Sequence, residues 1–358
     1  MVAVIADDIT GAAEMAGIAH RLGLRVKLTM HPQPSGECDV LVVATDTRSM
    51  TEAEGVGETA RVTAALSGME GVDALFRKTD SALRGHVVAE LEAMLGASRY
   101  GRALYLPANP SKGRIIRDGV YYIGDKPLHE TDFSFDPEFP AFSSVLSERF
   151  PDGEERGVVC ADAVTAADVA RVVGRAGEDT LLAGAADLFT AFLLHRFPSA
   201  DGSVADGLHA PLAADDCLIV CGSTQSKPIG CGVATRYMPT AVYDGVAPVG
   251  GWLQELAEEY AATRALIIAV RDRHRTGKEV AVYLRGAMAD LVSGLAGIHC
   301  PKELVIEGGA TAFAILHRLG WEAFTITDEF APGVIRMMAA NGTHVTMKPG
   351  SYPWGGLF

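Results

Sequence analysis

Several things are scarce in this sequence. Basic residues are outnumbered, with 31 Lys and Arg against 45 Asp and Glu, so the formal net charge is −14. That argues against a nucleic-acid partner, because such proteins present a basic face to the phosphate backbone. Local clusters of Arg and Lys can still hold a small anion. Cysteine is limited to Cys38, Cys160, Cys217, Cys221, Cys231 and Cys300, and none forms a CxxC pair. A disulfide framework is not expected in a chain this long and rich in core residues. The spacing of Cys217, Cys221 and Cys231 matches no common zinc knuckle, so no resident metal site is expected. No apolar run approaches the ~20 residues that span a bilayer. No basic-then-apolar leader opens the chain. A cytoplasmic, soluble protein with no membrane partner is the expectation. There is no GxxxxGK[ST] and no GxGxxG after a strand. Both a P-loop NTPase of the usual kind and a standard Rossmann dehydrogenase are therefore disfavoured.

What is present is a globular composition, with 48% apolar and 21% charged residues over 358 positions. That length accommodates two domains of ordinary size. Strand and helix signals alternate, which predicts α/β domains with mainly parallel sheets. The chain opens MVAVIADDITGA: an apolar strand over Val2 to Ala6, then Asp7 and Asp8, then a helix over Ala12 to Leu22. A purely structural reading makes Asp7 the helix cap and leaves Asp8 to solvent. The alternative is a polar site, since ligands bind outside the carboxyl ends of parallel strands.

Three further strand ends carry similar chemistry. Asp46 and Arg48 follow the run ending at Ala44. Lys78, Asp80, Ser81 and Arg84 follow Ala74 to Arg77. Asn109 and Arg114 follow Ala103 to Leu106. Four polar clusters brought to one sheet edge make one site. Arg and Lys suit a carboxylate, Arg through its planar fork. Asp and Asn suit hydroxyl groups. A small polyhydroxy acid needs both sets. Asp118 to Pro127 reads as a hairpin turning at Gly-Asp, and His129 to Pro140 as a loop.

The Gly-, Pro-, Ser- and Asp-containing stretch from Phe197 to Asp216 separates two domains, 1–205 and 206–358. In the second, Asp216 to Cys221 is a buried strand that runs into CGSTQSK, a loop able to wrap an anion. Pro239 to Asp244 reads as a strand and Thr276 to Val292 as a helix. Glu303 to Ile306 is a strand ended by EGGATA, with a helix from Ala312 to Leu319. Paired glycines at a helix N-terminus allow close approach of phosphate.

Taken together, IADDITGA, TRS, RKTDSALRG, PANPSKGR and the following DGVYYIGDKPL run resemble the four-carbon acid sugar kinase family. In the second half GST, EGGATA and the terminal KPG are similar to that family's nucleotide-binding domain. The resemblance covers nearly the whole chain in order. It implies an ATP-dependent carbohydrate-acid kinase of two α/β domains with a cleft between them. The acid-sugar-binding domain would be 1–205 and the nucleotide-binding domain 206–358. The acid would be of the threonate, erythronate or 3-oxo-tetronate type.

By position, Asp7, Arg48, Lys78, Ser81, Arg84, Asn109 and Arg114 would bind the acid. Asp8 and Asp80 would be the candidates for accepting the hydroxyl proton. Ser223, Gly308, Gly309, Ala310, Thr311 and Gly350 would form the nucleotide loops, and Mg²⁺ would accompany ATP. A homodimer is compatible with the sequence. Three departures lie in the nucleotide half. Ala310 stands where the family commonly has an acidic residue. Ser351 and Tyr352 replace glycine and phenylalanine. The GSTQSKPIGCG loop lacks the usual T-x-x-Q continuation. These departures motivate one rival reading, a non-catalytic acid-sugar binder. The Asp-Asp turn motivates another, a metal-dependent sugar-phosphate phosphatase or lyase.

Overall fold

The computed structural model describes residues 1–33, 36–136, 138–200, 212, 215–222, 231–350 and 357. Its chain divides into two compact units, Met1–Ala205 and Asp206–Phe358.

The first unit is built on β1 (Val2–Ala6), α1 (Ile9–Arg21), β2 (Val26–Thr29), β3 (Val40–Ala44), α2 (Glu52–Ser67), β4 (Ala74–Lys78), α3 (Val87–Gly96) and β5 (Arg102–Leu106). A small antiparallel sheet follows, made of β6 (Arg114–Arg117), β7 (Val120–Ile123) and β8 (Lys126–Pro127). Then come α4 (Leu146–Arg149), β9 (Val158–Cys160), α5 (Ala166–Arg175), β10 (Thr180–Gly184) and α6 (Ala186–Arg196). The main sheet runs β2-β3-β1-β4-β10-β5-β9 with every pair parallel. All five residues of β1, β3 and β10 are buried. That fits the unbroken apolar runs of strands covered on both faces. Adjacent strand residues point to opposite faces. Arg77 accordingly meets Glu90 of α3, whereas Lys78 meets Glu14 of α1.

The first helix begins three residues earlier than the apolar pattern suggested. Its cap is Asp8, whose side chain accepts from the Gly11 amide at 2.8 Å. The capping reading therefore had the two aspartates reversed: Asp8 caps, and Asp7 is buried. α1 buries Ile9, Met15 and Ile18, each contributing about 1.5–3 kcal/mol. α2 is opened by Thr51 and Glu54 in a capping box.

The second unit comprises β11 (Cys217–Cys221), β12 (Thr235–Tyr237), α7 (Thr240–Tyr243), α8 (Val249–Thr263), β13 (Ala265–Ala269), α9 (Lys278–Ile298), β14 (Glu303–Glu307), α10 (Gly309–Leu319), β15 (Ala323–Ala331), β16 (Val334–Ala339) and β17 (His344–Lys348). The order is β12-β13-β11-β14-β17-β16-β15. The first five strands are parallel, and β16 and β15 add antiparallel pairs at one side. The strand expected over Pro239 to Asp244 is instead a helical turn, α7, and the strand lies just before it at β12. Pro239 initiates the turn: its φ of −59° suits the position before a helix, and it supplies no ladder donor. Contrary to the expectation that no apolar run approaches a bilayer-spanning length, α9 continues six residues past Val292 and is long and apolar enough to cross a membrane by length and composition. It carries Arg285 and Asp290 and packs on α8 and α10.

Candidate active site

In the first unit the sheet order sets β3, β1 and β4 side by side, with β5 one strand further on. Their carboxyl ends lie at one edge, and all four sequence clusters join there through direct side-chain contacts, the fourth through Arg114 alone. Arg48 sits in a 3₁₀ turn, Thr47–Ser49, entered through Asp46 at a left-handed φ of 55°. Its Nε donates to Asp7 Oδ2 at 2.8 Å and its Nη1 to Asp8 Oδ2 at 3.1 Å. Asp80 lies 3.7 Å from the same guanidinium. Burial opposes the charge on Arg48, but Asp7, Asp8 and Asp80 outweigh it and hold the guanidinium firmly protonated. Asp7 is the most enclosed of the three, and its Oδ1 has no hydrogen-bond partner among the described residues.

Asp80 is pinned from the other side. Arg84 Nε and Nη2 each donate to it at 2.9 Å, and the Ala82 amide adds a bond at 2.9 Å. Burial raises its pKa, yet Arg48 and Arg84 win, and the carboxyl is held far below the usual carboxylate range. Lys78 Nζ donates to the Thr79 carbonyl at 2.8 Å and pairs with Glu14 at 3.7 Å. Glu14 also takes Lys112 at 2.6 Å. Burial pushes the Glu14 carboxyl up, but Lys78 and Lys112 outweigh it and leave it lowered. Gly11 is required here, since a Cβ would lie 2.7 Å from Asp8 Oδ1 and 3.1 Å from Lys78 Nζ.

Arg114 Nη1 donates to Ser81 Oγ, and Tyr121 OH donates to the Ser81 carbonyl. Asn109 stands apart in its bonding. Its Oδ1 accepts from the Asp187 amide at 2.9 Å, so it caps the start of α6. Among the described residues, Arg114 is the one cation of this cluster with no carboxylate within 4.0 Å.

Sequence reasoning missed several members. Glu14 lies within the first helix and was not singled out; its pairing with Lys78 and Lys112 shows only in the structure. Phe133 and Asp136 belong to the loop after the hairpin. Asp136 meets Arg84 at 3.4 Å, and both Arg84 and Arg114 lie against the Phe133 ring. Beneath the edge, Arg77 is fully buried and pairs with Glu90 at 2.6 Å. A cavity of about 620 Å³ at the opposite ends of β4 and β10, floored by Leu75, Leu182 and Phe192, includes none of these site residues.

In the second unit, β11, β14 and β17 are neighbours and end together at Cys221, Glu307 and Lys348. Gly308 follows at φ 99° and caps α10, whose first turn holds Gly309, Ala310 and Thr311. These residues were expected as a loop, but they are helical from Gly309. Their amides still lie in the first turn of a helix, where they have no intrahelical acceptor, the arrangement that attracts phosphate. The Gly308 amide donates to the Lys348 carbonyl at 2.8 Å, joining two of the expected loops. A Cβ on Gly222 would lie 2.2 Å from Thr311 Oγ1, so the turn after β11 presses directly on α10. Lys348 Nζ and Glu307 Oε1 form a buried pair at 2.8 Å. Gly350 follows, partly exposed. Ser223, Ser351 and Tyr352 lie outside the described residues.

Residues 2–152 match a family model described as a sugar-binding N-terminal domain, and residues 249–352 one described as a nucleotide-binding C-terminal domain. A D-threonate kinase of Bordetella bronchiseptica is 27% identical over 386 residues, covering 93% of this chain and 88% of that protein. A 3-oxo-tetronate kinase of Methylobacterium radiotolerans is 28% identical over 389 residues, covering 92% and 90%. A crystal structure of a Haemophilus influenzae protein superposes with a TM-score of 0.72 at 19% identity, over 98% of this chain and 97% of that one, a likeness of fold. Both domain models, in the order and at the places where the two sheet edges carry their polar clusters, put the chain in the four-carbon acid sugar kinase family.

Proposed function

We propose that the protein transfers the γ-phosphoryl group of ATP to a hydroxyl of a four-carbon sugar acid. The first unit is read as the acid-sugar-binding domain, 1–205, and the second as the nucleotide-binding domain, 206–358. The observation that carries the acid-sugar reading is the charge bookkeeping at the first edge. Arg48 and Arg84 each pair with aspartates and Lys78 and Lys112 share Glu14, whereas Arg114 has no carboxylate within 4.0 Å among the described residues. Arg114 is therefore our choice for the substrate carboxylate, with Ser81 beside it. Asp7 and Asp8 lie ready for hydroxyl groups.

Such transfer depends on positioning and charge more than on covalent chemistry. Asp80, held deprotonated by two arginines, is a weak base and is better suited to orienting Arg48 and Arg84. Asp8 is the most exposed of the three aspartates, at 21% against 4% and 11%. We assign it the substrate hydroxyl and its proton. On the nucleotide side, the amides of Gly309, Ala310 and Thr311 and the turn at Gly222 would receive phosphate oxygens. Among the described residues no group of three acidic, His or Cys side chains is arranged to hold a metal. Mg²⁺ would thus arrive on the nucleotide, where it screens phosphate charge. ATP use and six free cysteines accord with a cytoplasmic setting.

A coupled assay for ADP release over D- and L-threonate, D- and L-erythronate and their 3-oxo forms tests the reading. Acid-dependent turnover with at least one of them is expected. No acid-dependent turnover with any would overturn it.

A further inference from the structure

We propose that Phe133 is a positioning residue for the acid-sugar carboxylate. Its ring holds the Arg114 guanidinium in place without neutralising it, so that the charge is left for the substrate. The proposal rests on the acid-sugar reading of this edge.

The guanidinium centres of Arg84 and Arg114 each lie 5.7 Å from the centroid of the Phe133 ring. That is within the ~6 Å reach of a cation–π contact. The two arginines differ in what else holds them. Arg84 is chelated by Asp80 and touched by Asp136. Arg114 has the Ser81 hydroxyl and the ring. A carboxylate in place of the ring would fix Arg114 equally well but would cancel its charge. An aromatic face attracts the cation through its quadrupole and carries no net charge. It also offsets the repulsion between two guanidiniums brought to one surface.

The backbone that carries the ring is fastened. The Ala141 amide donates to the Phe133 carbonyl at 3.0 Å. Arg149 bridges the Pro140 and Leu83 carbonyls, at 2.9 and 3.1 Å, and ties this loop to the turn that carries Asp80 and Arg84. Phe133 lies outside the hydrophobic core and is only partly buried, so replacements are compatible with folding.

Steady-state kinetics of the full chain provide the test. Phe133→Ala should raise KM for the acid roughly tenfold, the size expected from losing two cation–π contacts. The kcat should stay within about twofold and KM for ATP should not move, because the loss is one of substrate binding. Phe133→Tyr should restore the wild-type KM. Phe133→Leu, which keeps bulk but has no quadrupole, should behave like Phe133→Ala. Wild-type kinetics in Phe133→Leu would reduce the ring to a space-filler and overturn the proposal. So would a fall in kcat with unchanged KM. Absence of wild-type turnover on every four-carbon acid overturns the kinase reading, and this proposal falls with it.

Discussion

Asp80 is the residue whose chemistry is most altered by its neighbours. Arg48 and Arg84 hold its carboxyl well below the ordinary range against the pull of burial. A carboxyl depressed in the folded state contributes stability above its unfolded value, near pH 4, and loses it as pH falls towards the folded value. Asp80→Asn should therefore destabilise the protein at pH 7 by on the order of 2 kcal/mol, the worth of hydrogen bonds to charged groups. The gap to wild type should narrow below pH 4. Denaturant melts at pH 7 and pH 3 measure both, and an unchanged gap would contradict the assignment. At this scale the sequence was informative about which residues meet and less so about how. The conjunction of Asp7, Asp8, Arg48, Asp80 and Arg84 follows from parallel strands ending together. That Asp8 rather than Asp7 turns towards the helix depends on a single backbone step after β1. That Asn109 is spent on the amide of Asp187 depends on β10 inserting beside β5, 78 residues later in the chain.

At the scale of elements, the buried strands are legible because their apolar runs are unbroken and bounded by polar turns. β16 and the true place of β12 were not legible. Pro239 and the mixed residues around it fit a turn and a strand about equally, and tertiary pairing with β13 decides. The contact between β4 and α3 was equally hidden. Glu90 reads as an ordinary polar helix position, yet it is buried and accepts from a fully buried Arg77, whose Nε and Nη1 have no partner among the described residues. Arg77 Nη2 also lies 3.3 Å from Thr47, the residue next to Arg48. Removing one member of such a pair leaves the other charge stranded, whereas replacing both is far milder. Glu90→Leu should cost about 3–5 kcal/mol. The double change Arg77→Met with Glu90→Leu should recover most of it. Equal losses in the single and double variants, by chemical denaturation, would show that packing and not charge is what matters there.

On the scale of the whole molecule, the placement of chromophores separates the two units. All three tryptophans, Trp252, Trp321 and Trp354, belong to the second. Tryptophan fluorescence therefore reports the second unit, while far-UV circular dichroism reports both. A ligand at a hundred times its Kd stabilises the form that binds it by about 2.7 kcal/mol. For a unit of this size that is roughly 5–10 °C in midpoint. ATP should raise the tryptophan-detected midpoint. A turned-over sugar acid, supplied without nucleotide, should raise a dichroism-detected midpoint and leave the tryptophan signal where it was. A tryptophan-detected shift with the acid alone would count against the division of labour between 1–205 and 206–358. The net charge of −14 sets the background for both ligands, which are anions approaching an acidic protein. Their capture depends on local cations and, for exposed ones, weakens as salt screens them.

One further consequence follows from the double duty of Asp8. Its Oδ1 closes the first turn of α1 through the Gly11 amide, and its Oδ2 faces the guanidinium of Arg48. Whatever draws on that carboxylate from the pocket also draws on the bond that seals the helix. Under the proposed function a substrate hydroxyl draws on that same carboxylate, which would put the backbone of the first turn mechanically in series with the substrate.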